Sequence, residues 1–177
     1  MAHKCVFLDR DGVLNRERGE YTFLPQDFEV IKGVPTAIDE LKKNGFLVII
    51  ITNQAGIAKG IYTREQMKQC HELLQEACHH AIDAIYYCPY HPTYSASLAR
   101  KPDSLMFEKA MARFDIKPET SWMAGDKERD LIPARKLGIK TIGITESQAI
   151  GEADFMAKNL TEAVAIILEQ HKKAPNK

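Results

Sequence analysis

With 177 residues the chain suits one domain and allows a sizeable core, which excludes a large multidomain machine. Lysine plus arginine number 24 and aspartate plus glutamate number 24, so the formal net charge is zero and no global field draws the chain to nucleic acid or anionic lipid. At 45% hydrophobic and 27% charged it has the composition of a globular protein, not of a disordered one.

The longest apolar run, residues 46–51, is far short of the roughly 20 residues a spanning helix needs. The opening Met-Ala-His-Lys-Cys has no signal-peptide layout, so the expectation is a soluble, cytoplasmic protein with no membrane partner. Four cysteines are too sparse for a disulfide scaffold and are expected as free thiols. No repeat or linker divides the sequence, which predicts a single domain over residues 1–170, a frayed polar tail over 171–177, and a monomer.

In chain order, residues 5–8 and 46–51 are continuous apolar runs, the pattern of strands buried on both faces of a parallel sheet. Between them, residues 34–44 carry Pro35 in the opening turn and Gly45 just past the end, as a helix does. Thr63 and Gln66 form a capping-box signature ahead of a helix expected to reach about Ala81. A strand at 84–88, a helix at 104–114, a strand at 121–124, a helix ending at Leu137, a strand at 141–144, a short strand near Asp154 and a last helix from Thr161 complete the order. This β-α alternation predicts an α/β, doubly wound, mostly parallel sheet, whose ligands bind outside the carboxyl ends of the strands.

Three strands end in polar groups: Asp9-Arg10-Asp11-Gly12, Thr52-Asn53-Gln54 and Gly125-Asp126-Lys127. Carboxylates brought together at one edge repel unless a cation neutralises them, and Mg²⁺ takes a few carboxylate oxygens plus waters and phosphate oxygens. Asp9, Asp126 and a backbone carbonyl near Asp11 are about the right supply, and Arg100-Lys101 adds positive charge for a phosphate. Acids, Mg²⁺ and a lysine point to phosphoryl transfer.

These residues resemble the four motifs of the haloacid dehalogenase superfamily. Asp9-Arg10-Asp11-Gly12-Val13-Leu14-Asn15 is similar to the first, Thr52 to the second, Lys101 to the third, and Gly125-Asp126 with Asp130 to the fourth. Over nearly the whole chain, the segments 52–60, 85–92, 100–102 and 125–127 resemble the D-glycero-D-manno-heptose 1,7-bisphosphate 7-phosphatases, relatives of histidinol-phosphate phosphatases. The resemblance implies Asp9 as the nucleophile that becomes a phospho-aspartate and Asp11 as general acid and then base. It implies Thr52 and Lys101 on the phosphoryl oxygens, Mg²⁺ on Asp9, Asp126 and the Asp11 carbonyl, and Arg100 on the sugar. Asn53, Gln54, Lys127 and the loop 17–20, with Arg18 and Gly19, would complete the pocket, while Asp130 orients the loop before it. The implied partner is a phosphorylated sugar in a cytoplasmic pathway feeding cell-surface glycan (lipopolysaccharide) synthesis.

Many heptose bisphosphatases carry a structural zinc loop with a Cys-x-His pair and a later Cys-x-Cys. Here Cys88 remains, Tyr90 stands at the histidine position, His91 follows one residue later and no cysteine follows Cys88, so no structural zinc is expected and the loop 89–99 should be ordered by packing. Cys70 and Cys78, ~12 Å apart on a helix, cannot share an ion, so they are expected as packing thiols with His71, His79 and His80 as surface imidazoles. Trp122 is expected in the core. The short span between Asp11 and Thr52 leaves no room for a separate cap domain. Histidinol phosphate, another sugar phosphate or a protein phospho-residue are alternative substrates. A signalling receiver domain, which also uses an acidic pair, Mg²⁺, Thr and Lys, is the rival of another class.

Overall fold

Six strands form one parallel sheet in the computed structural model, which describes residues 2–173. They are β1 (Cys5–Leu8), β2 (Leu47–Asn53), β3 (Ala84–Cys88), β4 (Trp122–Gly125), β5 (Lys140–Ile144) and β6 (Phe155–Ala157), in the spatial order β3-β2-β1-β4-β5-β6. The helices between them are α1 (Val34–Lys43), α2 (Arg64–Ala77), α3 (Leu105–Phe114), α4 (Glu128–Lys136) and α5 (Leu160–Lys173). The order 3-2-1-4-5-6 is that of a Rossmann-type sheet and differs from the 2-1-3-4-5 order of receiver domains, which removes the signalling rival.

Alternation along the strands divides the core into two. Val6, Leu8, Val48 and Ile50 face one layer with Ile38 and Leu41 of α1, Cys70 and Leu74 of α2, and Ala163 and Ile167 of α5. Cys5, Phe7, Ile49 and Ile51 face the other, with Met106 and Phe107 of α3 and Leu131 and Ala134 of α4. Helices on both faces are what a continuous apolar strand requires, since each successive side chain points to the opposite side. All four cysteines are free and buried, and Trp122 is buried with Lys140 Nζ 5.1 Å from its ring centre.

Three expectations are corrected. The Thr63–Gln66 capping box is present, but α2 stops at Ala77, because His79 and His80 take left-handed backbone with φ of 53° and 54° and turn the chain into β3. Residues 171–173 of the expected tail are helical. His171 packs edge-on against Phe46 at 5.4 Å and accepts from Lys4 Nζ at 2.7 Å, which ties the end of α5 to the start of β1; the remainder, 174–177, lies outside the described residues. Loop 89–99 is held by hydrogen bonds to its backbone carbonyls more than by packing: Ala58 N donates to Pro89 O at 3.1 Å and the Arg100 side chain, through Nη1, to Tyr90 O at 3.1 Å, while Tyr94 and Leu98 stay 64% and 70% exposed.

No helix among the described residues is long and apolar enough to cross a membrane.

Candidate active site

β1 lies at the centre of the sheet, where strand order reverses to either side, and Asp9 is the first residue beyond it. Its backbone N–H donates to Ala124 O at 3.1 Å, so the end of β1 is pinned beside the end of β4 and Asp126. Gly12 adopts φ +83°, and a Cβ there would fall 2.5 Å from Asp126 Oδ2, so only glycine lets the first turn approach the fourth motif.

Lys101 reaches this point from the loop before α3 and is sealed from water. Its ammonium donates to Asp9 Oδ1 and to Ile51 O, each at 2.7 Å, and forms an ion pair with Asp130 Oδ1 at 2.7 Å. Asn53 fixes the lysine's backbone from both sides, donating to Lys101 O at 3.0 Å and accepting from Lys101 N at 3.1 Å. Asp130 is wholly buried, and its other oxygen accepts from Lys127 N at 3.0 Å, closing the first turn of α4.

Charge in so little water shifts the ionisations. Burial, reinforced by the neighbouring Asp130 carboxylate, pushes Asp9 up to about 7 against the pull of Lys101. Burial also works against the charge on Lys101, but the carboxylates of Asp130 and Asp9 outweigh it and hold its pKa above the ordinary value. Asp126 is raised by burial, with Lys127 Nζ at 2.8 Å from Oδ2 opposing it. One carboxylate oxygen from each of Asp9, Asp126 and Asp130 lies within 4.8 Å of the others, and Asp126 Oδ1 is buried with no hydrogen-bond partner. An orphaned buried carboxylate oxygen beside a second acid fits a hard divalent cation, which takes oxygen ligands and removes the repulsion. Asp130 Oδ1 is likewise buried without a hydrogen-bond partner, but it pairs with the Lys101 ammonium at 2.7 Å, so that charge already offsets it.

Asp11 is held apart from that cluster. Oδ1 accepts from Arg10 Nη2 at 2.8 Å and Asn15 Nδ2 at 3.0 Å, and Oδ2 accepts from Arg10 Nη2 at 3.1 Å and Gln54 Nε2 at 3.2 Å. Gln54 also donates to Thr52 Oγ1 at 3.0 Å and accepts from Tyr62 OH at 2.7 Å. Above these groups opens a cavity of about 550 Å³, of a size for a small phosphorylated metabolite. It is lined by Asp9, Asp11, Asn53, Gln54, Lys101, Asp126 and Lys127 on the floor and walls, and by Glu17, Gly19, Glu20 and Tyr21 of the loop after β1.

A family model described as haloacid dehalogenase-like hydrolase matches residues 14–144. The chain belongs to the haloacid dehalogenase-like hydrolases. The D-glycero-β-D-manno-heptose-1,7-bisphosphate 7-phosphatase of Haemophilus ducreyi is 37% identical over 94% of this chain and 100% of its own length. The protein of that name from Escherichia coli K12 is 35% identical over 96% of each. The crystal structure of D,D-heptose 1,7-bisphosphate phosphatase from B. bronchiseptica, complexed with magnesium and phosphate, superposes with a TM-score of 0.86 at 25% identity, covering 94% of this chain and 99% of that one. This haloacid dehalogenase-like chain is a phosphatase.

Of the residues expected in the site, the structure gathers Asp9, Asp11, Asn53, Gln54, Lys101, Asp126, Lys127 and Gly19 around one cavity. Thr52 is buried just beneath it, with its hydroxyl accepting from Gln54. Arg18 is turned away: its guanidinium pairs with Glu20 and Asp27, each at 3.0 Å, over a separate outer groove. Arg100 does not line the cavity either, because its Nη1 is tied to Tyr90 O. His71, expected at the surface, is buried with its Nε2 3.4 Å from Arg10 Nη1, because α2 presents it to the back of the site. Arg10, Tyr62 and Arg129 also line the cavity and carried no earlier expectation. Arg10 had a usable signal, a charge at the end of a fully apolar strand between two acids; Tyr62 had none.

Proposed function

We propose that this phosphatase removes the C7 phosphate of D-glycero-D-manno-heptose 1,7-bisphosphate through a phospho-aspartate on Asp9. The observation that carries the reading is Asp9 itself: a buried carboxylate at the floor of the cavity, paired with a buried lysine and set beside the orphaned oxygen of Asp126. The sugar is supported by the full-length likeness to the 7-phosphatases named above.

In the first step an Asp9 oxygen bonds to phosphorus, the bond from phosphorus to the C7 oxygen breaks, and Asp11 gives its proton to that departing oxygen. In the second, a water oxygen bonds to phosphorus, the Asp9–phosphorus bond breaks, and the water's proton goes to Asp11, releasing inorganic phosphate. Lys101 offsets the charge that would otherwise keep an anionic carboxylate from an anionic phosphate. Asp9, Asp126 and the Asp11 carbonyl are the groups that would hold Mg²⁺, which when bound neutralises charge shared between nucleophile and phosphoryl oxygens. Thr52 Oγ1 and Gln54 orient the phosphoryl group, and Lys127 with the loop 17–20 meets the sugar. Arg100 and Arg18 would reach the sugar only by releasing the partners they hold. The reading includes a cytoplasmic monomer with no nucleic-acid or membrane partner. It includes no structural zinc, since Cys88 is buried in the core and the His91 ring stays on the loop beyond it, beside Tyr94.

The test is phosphate release from heptose bisphosphate, histidinol phosphate and common sugar phosphates in Mg²⁺. The reading expects the highest kcat/KM on the heptose bisphosphate, with the C1 phosphate left in the product. A preference for histidinol phosphate overturns the substrate, and the absence of phosphate release from any of them overturns the reaction.

A further inference from the structure

We propose that Arg10 is a positioning residue for Asp11: its guanidinium fork fixes the carboxylate so that Oδ1 is held and Oδ2 handles the proton, with His71 backing the fork. The inference rests on the acid–base role of Asp11 given above.

Arg10 is 1% exposed although it carries a full charge, and a buried guanidinium persists only where its donors are met. Here Nη2 donates to both oxygens of Asp11 and to Thr22 O at 3.1 Å, Nε donates to Asp11 Oδ1 at 3.3 Å, and Nη1 lies 3.4 Å from His71 Nε2. The guanidinium carbon sits 5.6 Å from the centre of the Phe28 ring, which bounds the fork on that side. Burial, with Arg10 second, lowers His71 to about 3, so the ring is neutral and accepts from the guanidinium without competing with it. The two oxygens of Asp11 are therefore unequal. Oδ1 takes three donors, two of them close at 2.8 and 3.0 Å, while Oδ2 has only two longer contacts at 3.1 and 3.2 Å and is the more weakly held oxygen. Asp11 also keeps 28% of its side chain open, on the cavity side. General acid catalysis depends on holding the proton within hydrogen-bond reach of the leaving oxygen, and a freely rotating carboxyl would lose that placement.

The test compares kcat/KM for a primary alkyl phosphate and for p-nitrophenyl phosphate, whose leaving group needs no proton. This ratio reports only steps up to leaving-group departure. Arg10→Lys keeps the charge and loses the fork; it should lose about 10²-fold on the alkyl phosphate and less than about threefold on the aryl one. Equal losses on both, or no loss, overturn the positioning role. Asp11→Asn is the reference: if it too loses both equally, the acid role of Asp11 fails; if it is selective and Arg10→Lys is not, only the present inference fails. Should Arg10→Lys not fold, His71→Leu carries the test at one remove. A selective loss of at least about threefold supports the backing role, and unchanged or equally reduced rates overturn it.

Discussion

Phe7 and Leu8 at the end of β1 and Arg10 just beyond it are all sealed from water, yet the two stretches do opposite things for the fold. Each apolar side chain there stabilises by leaving water, on the order of 1.5–3 kcal/mol apiece. One and two residues further on, burial costs free energy, and Asp9, Arg10, Lys101 and Asp130 persist only because each meets an opposite charge. The interior of the sheet supplies stability, and its carboxyl edge spends part of it on holding charges where a phosphate arrives. Variants should separate cleanly between the two regions, and four of them test how cleanly.

The largest effect belongs to the edge. Asp9→Asn should lower phosphate release by at least about 10⁴-fold while the thermal midpoint stays level or rises, because a carboxylate facing Asp130 is removed and Lys101 keeps a partner. Lys101→Met should do the reverse to stability. It strands Asp9 and Asp130 together and costs about 4 kcal/mol in denaturant unfolding, a loss that added Mg²⁺ reduces. In the interior, Leu41→Ala between α1 and the sheet should cost about 3 kcal/mol yet leave kcat within twofold at a temperature where the variant is folded.

The smallest effect lies where the two regions meet. His71 titrates near 6.5 in the unfolded chain and at about 3 in the fold, so between those values the unfolded state takes up a proton that the folded state refuses. The His71 contribution to stability therefore falls as pH falls, by about 2 kcal/mol from pH 7 to pH 5, while Asp9, raised in the fold, contributes in the opposite sense over the same window. His71→Leu removes the loss and leaves the gain, so relative to the wild type it should become more stable by about 2 kcal/mol between pH 7 and pH 5 in urea titrations.

Much of this arrangement was legible in the sequence, for reasons that differ by region. β1 and β3 begin and end where their apolar runs do, and α1 keeps to its proline and glycine, since local chemistry sets those limits. The end of α2 was not legible: His79 and His80 are neither glycine nor asparagine, and only their context holds them in left-handed backbone. In the site, Asp9 and Asp126 could be read because a parallel sheet brings the residues after its central strands together, and Lys101 because it matches the third motif of the family. Arg18 and Arg100 could not, because a charge in a sequence does not say which carboxylate or carbonyl claims it first. Asp130 was read as a loop-orienting residue, and its ion pair with Lys101 appears only when α4 is packed against β4. Arg10 shows the same limit from the other side, since its fork, His71 and Phe28 come from three separate parts of the chain.

The covalent phospho-enzyme is open to direct trapping. Rapid mixing of the Mg²⁺-loaded protein with substrate, a quench with borohydride and peptide mass mapping should find Asp9 alone reduced to homoserine, and only when substrate was present. Reduction at any other carboxylate, or none while phosphate is being released at full rate, would contradict the account.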